Sequence, residues 1–148
     1  MASHDAQAAP SGEVLNIRFL LDVRVWFERL LELRTREARR RERDSVLEME
    51  DEIDEENALR ESLAELWTDI TAETEQLSQQ GTPLHFMRLA EVYDLDQTEV
   101  RILLLALMPA LDTSFRMRIA RFKDNILFNY VDVDLVTSLF FDDPSERV

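Results

Sequence analysis

Arginines and carboxylates are the densest source of chemistry in this chain, and they come in blocks. Arg34, Arg36, Arg39, Arg40, Arg41 and Arg43 crowd ten residues, and Glu48, Glu50, Asp51, Glu52, Asp54, Glu55 and Glu56 follow. A turn near Asp44–Ser45 or near Asp54–Asn57 would lay the two blocks side by side; without one, the region is a single long charged helix. Two readings stay open. One is a solvated helix surface laced with ion pairs at four-residue spacing, each contributing about 0.3–0.5 kcal/mol. The other is a docking site for a second protein, whose candidate residues are Arg36, Arg39, Arg40, Arg43, Glu52 and Glu55. On the first reading Glu56→Gln is nearly neutral, below about 0.5 kcal/mol.

Groupings that catalyse are missing from the sequence. A phosphate-cradling loop needs two glycines five residues apart and a lysine after them; here Gly12 and Gly81 are 69 positions apart and Lys123 is the one lysine. No serine sits in a nucleophile-elbow sequence, and His4 and His85 have no triad-like setting. With no cysteine, disulfides, thiolate metal sites and cysteine nucleophiles all drop out. Glu-x-x-His pairs of the di-iron kind are absent. Asp94-Leu-Asp96-Gln-Thr98 has a calcium-loop flavour but lacks the glycine and the distal glutamate, so helix termination and capping account for it better. The expectation is a chain with no catalytic residues, no metal site and no cofactor.

The elements that hold the charged blocks follow from punctuation and periodicity. The chain has 148 residues, of which 45% are hydrophobic and 32% charged, with two glycines and four prolines. That suffices for one core, and it cannot supply the turn every ~8–12 residues that a β-sandwich needs. The fold class expected is mainly α. Residues 1–12 read as a flexible leader. Residues 13–80 form long helices or a helical hairpin: Leu20, Val23, Phe27 and Leu30 carry one stripe, widened by Leu15, Phe19, Trp26 and Leu33. Leu59, Leu63, Leu66, Ile70 and Leu77 carry a second at alternating three- and four-residue steps.

Residues 81–148 have a different texture, with short helices and clear starts. Thr82 before Pro83 predicts an N-cap, and Phe86, Leu89, Ala90 and Tyr93 an apolar face. Asp96 with Glu99 predicts a capping box. Ile102–Met108 is apolar for nearly two turns and is expected to be buried all round, so Leu104→Asp is expected to prevent folding. Asp112 can cap a helix with Phe115, Ile119 and Phe122 inside. Ile126–Val131 is β-prone and predicts a small β arm. Asp132 or Asp134 can start a last helix burying Val136, Leu139 and Phe140.

The run Leu89-Ala-Glu-Val-Tyr-Asp-Leu95 and the run from Thr98 through Met108-Pro-Ala-Leu-Asp112 resemble the N-terminal, winged-helix-like region of bacterial AAA-type ATPases, some of them encoded beside phage-tail-like contractile injection systems. Tyr93-Asp-Leu-Asp96, Phe115, Phe122 and Val133-Asp-Leu-Val136 continue the likeness, which covers roughly residues 84–141. Asn125–Tyr130 departs from it, standing where the family often has an Arg/Thr-rich segment. The resemblance implies a compact winged-helix-like module that precedes an ATPase core, with the nucleotide motifs beyond Val148.

The function expected is therefore a non-catalytic N-terminal domain that docks the motor on protein partners or assists its assembly. Self-association through the long helices is compatible with this. The alternatives are a stand-alone helical adaptor of a phage-like particle and a DNA-binding winged-helix regulator. Nucleic acid is not the expected partner. The formal charge is −14, which repels phosphate backbones. Arg116 and Lys123 lie about 80–100° to one side of the Phe115 direction and Arg118 and Arg121 to the other, so they flank the buried stripe instead of forming one basic face. With no signal-peptide pattern in Met1–Gly12 and no apolar run above about ten residues, a soluble cytoplasmic protein with no membrane partner is expected.

Overall fold

Six helices make up the described part of the chain, residues 11–43 and 49–141 of a computed structural model: α1 (Gly12–Glu42), α2 (Met49–Gln79), α3 (His85–Val92), α4 (Gln97–Leu111), α5 (Thr113–Phe122) and α6 (Val133–Phe140). The expected leader, apart from Ser11 and Gly12, lies outside the described residues.

α1 and α2 are an antiparallel pair of 31 residues each. Ser11 caps α1, its hydroxyl accepting from the Val14 amide. No glycine or proline interrupts either helix, so nothing stops propagation except the connection between them. That connection lies between Arg43 and Met49, which excludes a turn at Asp54–Asn57, inside α2. The alternative at Asp44–Ser45 falls outside the described residues. Phe19, Val23, Trp26, Phe27, Leu30 and Leu33 of α1 are buried, as are Leu63, Trp67 and Ile70 of α2. The Trp26 indole N–H donates to the Leu63 carbonyl at 3.1 Å, which fixes the register of the pair.

The four short helices close over the other side of α1. α4, α5 and α6 all touch it, and Phe27 is the hub, with ring contacts to Trp26, Phe115 and Phe140. One core cluster therefore runs from Phe19 to Leu139 across residues 80 and 81. Asp96 and Glu99 form the expected capping box at α4, and Asp112 and Asp132 cap α5 and α6. The carboxyl groups of Asp112 and Asp132 are held below the usual carboxylate range, chiefly by hydrogen bonds from the Ser114 hydroxyl and the Lys123 ammonium respectively.

Three helices end in the same way. Thr82, Leu95 and Asn125 donate their amides to carbonyls five residues back, and Gly81, Asp94 and Asp124 to carbonyls three back. These are Schellman ends, which need a left-handed residue. Gly81 has φ 78°, but Asp94 and Asp124 take φ 51° and 52° without being glycine. Thus Asp94 ends α3 and Asp96 starts α4, as expected of that acidic segment.

Four expectations need correction. Thr82 does not cap α3: the helix starts at His85, Leu84 is buried at its N-cap position, and Asn16 of α1 accepts from the His85 amide instead. Burial of Leu84 in the core fixes the start there. The Ile102–Met108 run is buried on one side only; Leu104, Leu105 and Met108 are inside while Leu107 is 37% exposed. Too few elements surround α4 to cover its whole circumference. Residues 126–131 form no β arm: they carry turns, with the Asn125 side chain accepting from the Leu127 amide. A β-prone run needs a second strand to pair with, and no strand occurs among the described residues. Glu56 is 2% exposed, not part of a solvated face.

Candidate functional site: a mixed-charge cleft

The turn of the α1–α2 pair brings the arginine block against the acidic block. Arg43 meets Glu52 at 2.6 Å, Arg36 meets Glu55 at 2.6 Å, and Arg40 Nε meets Glu56 at 2.8 Å. Arg60 of α2 reaches back to Glu37 of α1 at 2.9 Å. Two layers result. In the inner layer, buried Glu37 and Glu56 are tied by Arg34, Arg40 and Arg60. Arg34 also donates from Nε and one terminal nitrogen to the Leu139 carbonyl, which joins this layer to α6. In the outer layer, Arg36, Arg43 and Glu55 are exposed and Glu52 is partly so.

The hydrogen bonds from Arg36 to Glu32 and Glu55, and from Arg40 to Glu56, push both guanidinium pKa values further up. These side chains are fixed cations at every accessible pH.

The outer layer forms one wall of a cleft of about 590 Å³ between α1, the start of α2, and α5. Arg36, Arg39, Arg43, Glu52 and Glu55 line it, so five of the six candidate docking residues are brought together there; Arg40 points inward to Glu56. Arg118 and Arg121 of α5 line the opposite wall. Arg118 pairs with Glu28 at 3.2 Å. Arg39 and Arg121 have no ion pair among the described residues. Arg121 was singled out from the sequence, but only as one of the basic residues that flank the buried stripe of its helix; Glu37 and Arg60 were not. Their signal was available only through pairing: Glu37 lies on the same helix face as Phe19, Val23 and Leu30, where a carboxylate demands a partner.

A second concavity, of about 270 Å³, lies between α2, α3 and α4 and is lined by Phe19, Trp67, Ile70, Met87, Val100 and Leu104 among others. Beside it the Arg101 guanidinium lies 4.5 Å from the Trp67 ring centre and 5.1 Å from that of Trp26. Burial lowers the Arg101 pKa, and the two indole faces supply the attraction that a carboxylate would otherwise give.

No group of three or more histidine or acidic side chains is placed to hold a metal among the described residues. No helix there is long and apolar enough to cross a membrane. The cleft offers fixed guanidinium donors and carboxylate acceptors, which is chemistry for recognising charge.

Residues 14–148 match the family described as "Winged helix domain, variant". That is most of the chain, and the protein belongs to this family. No curated protein and no solved structure gives a significant match.

Proposed function

We propose that this winged-helix chain is the non-catalytic N-terminal module of an AAA-type ATPase, and that it docks the motor onto protein partners or assists its assembly. The observation that carries the docking role is the mixed-charge cleft, where five candidate residues from α1 and α2 converge beneath two arginines of α5. Arg39 and Arg121 stand there without an ion pair among the described residues, and such a guanidinium on a rigid helix is a ready receptor for a partner's carboxylates. The likeness of Met108-Pro-Ala-Leu-Asp112 and its surroundings to AAA-type N-terminal regions supports the ATPase context. In this reading the chain performs no chemical step and holds no cofactor, and ATP is handled beyond Val148.

Duplex DNA is not the partner in this reading. Of the four basic residues around α5, Arg118 is held by Glu28 and Lys123 by Asp132 at 2.7 Å. Titration of a labelled mixed-sequence duplex at ~150 mM salt is expected to show no useful binding. Micromolar binding that is lost in an Arg116/Arg118/Arg121 triple alanine variant overturns protein docking in favour of DNA. The ATPase assignment is tested by reading the genomic frame past Val148. Nucleotide-binding motifs in frame are expected; a frame that closes at Val148 overturns the fused motor and leaves a free-standing adaptor.

A further inference from the structure

One line of residues runs the length of α1 on the side away from the core. At 100° per residue, Val14, Ile17, Val25, Glu28, Glu32, Thr35, Arg39 and Arg43 all fall within about 40° of Leu21, while buried Leu30 lies about 180° away. The line changes character halfway. Val14, Ile17, Leu21 and Val25 are 37–51% exposed, and four aliphatic side chains at steps of three and four are the pattern of a helix-binding seam. From Glu28 onward the line is the charged floor of the cleft.

Neighbouring helices border this line without covering it. α2 lies along one edge, through Arg18–Glu73, Arg29–Ser62 and Arg36–Glu55. α5 and its cap lie along the other, through Arg24–Asp112 and Glu28–Arg118. Within the charged half, Glu28 pairs with Arg118 and Arg43 with Glu52, and Arg36 is shared by Glu32 and Glu55. The cleft cations without an ion pair among the described residues are Arg39 on the line and Arg121 across from it.

We propose that the outer face of α1 binds a helix of another protein, antiparallel to α1, with an acidic N-terminal half seated in the cleft and an apolar C-terminal half on Val14–Val25. This proposal rests on the docking reading above and names its partner. Charge complementarity sets the acidic half opposite Arg39 and Arg121. Helix dipoles set the direction: glutamates are favoured in the first turns of the bound helix, and its positive end then meets the negative end of α1. A second copy of the chain matches only half of this line: antiparallel α1 helices centred between Ile17 and Leu21 set Val14–Val25 against itself and leave Arg39 and Arg121 unmatched, and parallel ones set Arg39 on Arg39. α2 of a second copy has the acidic start, but its later exposed positions, from Thr68 and Asp69 through Ala72 and Glu75 to Gln79, include no large apolar side chain.

The line spans about 44 Å, so a matching helix has about 30 residues. The test uses two synthetic fluorescent peptides of that length, with leucines at three- and four-residue spacing in the C-terminal half. One carries glutamates on the same face of its N-terminal half, the other lysines. Anisotropy titration against the full chain is expected to give micromolar binding of the glutamate peptide, weakened at least about tenfold by Leu21→Glu or Ile17→Glu. The Arg39→Glu/Arg121→Glu double variant is expected to lose the glutamate peptide and gain the lysine one. Circular dichroism of each variant verifies that it folds. No binding, or binding indifferent to these substitutions, overturns the proposal. So does a dimer in sedimentation that Leu21→Glu dissolves, since the occupant is then a second copy. None of these results touches the ATPase assignment, which falls only on the frame past Val148.

Discussion

The two ends of the α1–α2 pair are held together by different physics. Around Trp26, Leu63 and Trp67 the interface is apolar and aromatic, with one indole hydrogen bond. Around Glu37 and Glu56 it is made of buried carboxylates clasped by three arginines. Apolar burial at about 25 cal/mol per Å² is non-directional, so it stabilises many registers of two helices. A buried carboxylate tolerates only the register that brings its guanidinium within reach, because leaving it unpaired costs several kcal/mol. The apolar end therefore supplies adhesion and the charged end supplies position, and it positions the outer arginines of the cleft as well.

The strongest way to break this comparison is to put a charge at the apolar end. Leu104 is fully buried beside that end and lines the same concavity as Trp67 and Ile70. Leu104→Asp is expected to abolish folding, seen as loss of the cooperative thermal transition. Next comes removal of charge where charge is buried. Glu56→Gln takes the carboxylate from Arg40 and one of two from Arg60, which keeps Glu37, and is expected to cost about 1–3 kcal/mol. For a chain of this size that lowers Tm by about 2–4 °C per kcal/mol.

Acid sharpens the comparison in a third way. Asp112 and Asp132 have depressed pKa values in the folded protein. Their contribution is complete above the unfolded value of about 3.9 and is lost as pH falls through the lower folded values. Melting followed by pH is expected to show a fall in stability that begins near pH 4, and Asp132→Asn is expected to shrink it. The smallest effect is expected from Glu55→Gln. Glu55 also pairs with an arginine, but its side chain is 64% exposed, and the change in stability should stay below about 0.5 kcal/mol. An equal loss from Glu55→Gln and Glu56→Gln would abolish the distinction between the inner and outer layers.

Much of the fold was legible in the sequence because local signals agreed with tertiary packing. The glycine-free stretch and its two stripes gave the helix pair, and Asp96, Asp112 and Asp132 were recognisable caps. What was not legible depends on partners far along the chain. Glu56 sits in an acidic run that looks solvated, and only the approach of Arg40 and Arg60 makes it a buried group. Thr82-Pro83 has good N-cap chemistry, but burial of Leu84 moved the helix start on. Ile126–Val131 has strand-forming side chains and no strand to join. The candidate docking residues converged because α1 runs on to Glu42 before the chain reverses into α2; Arg121 was visible as a basic residue beside a buried stripe, but its place across the cleft from Arg39 depends on how α5 packs.

The bond from Arg34 to the Leu139 carbonyl joins residues 105 positions apart. Closing a loop of that length costs entropy that no local contact repays, so the α1–α2 hairpin precedes it in any economical order of assembly and α6 docks late. The same topology governs opening. α6 has eight residues and is held by Leu135 and Leu139, the Phe27–Phe140 contact and the Arg34 clamp. Its release uncovers one side of Phe27 while both long helices stay zipped, which makes α6 a natural unit of partial unfolding among the described helices.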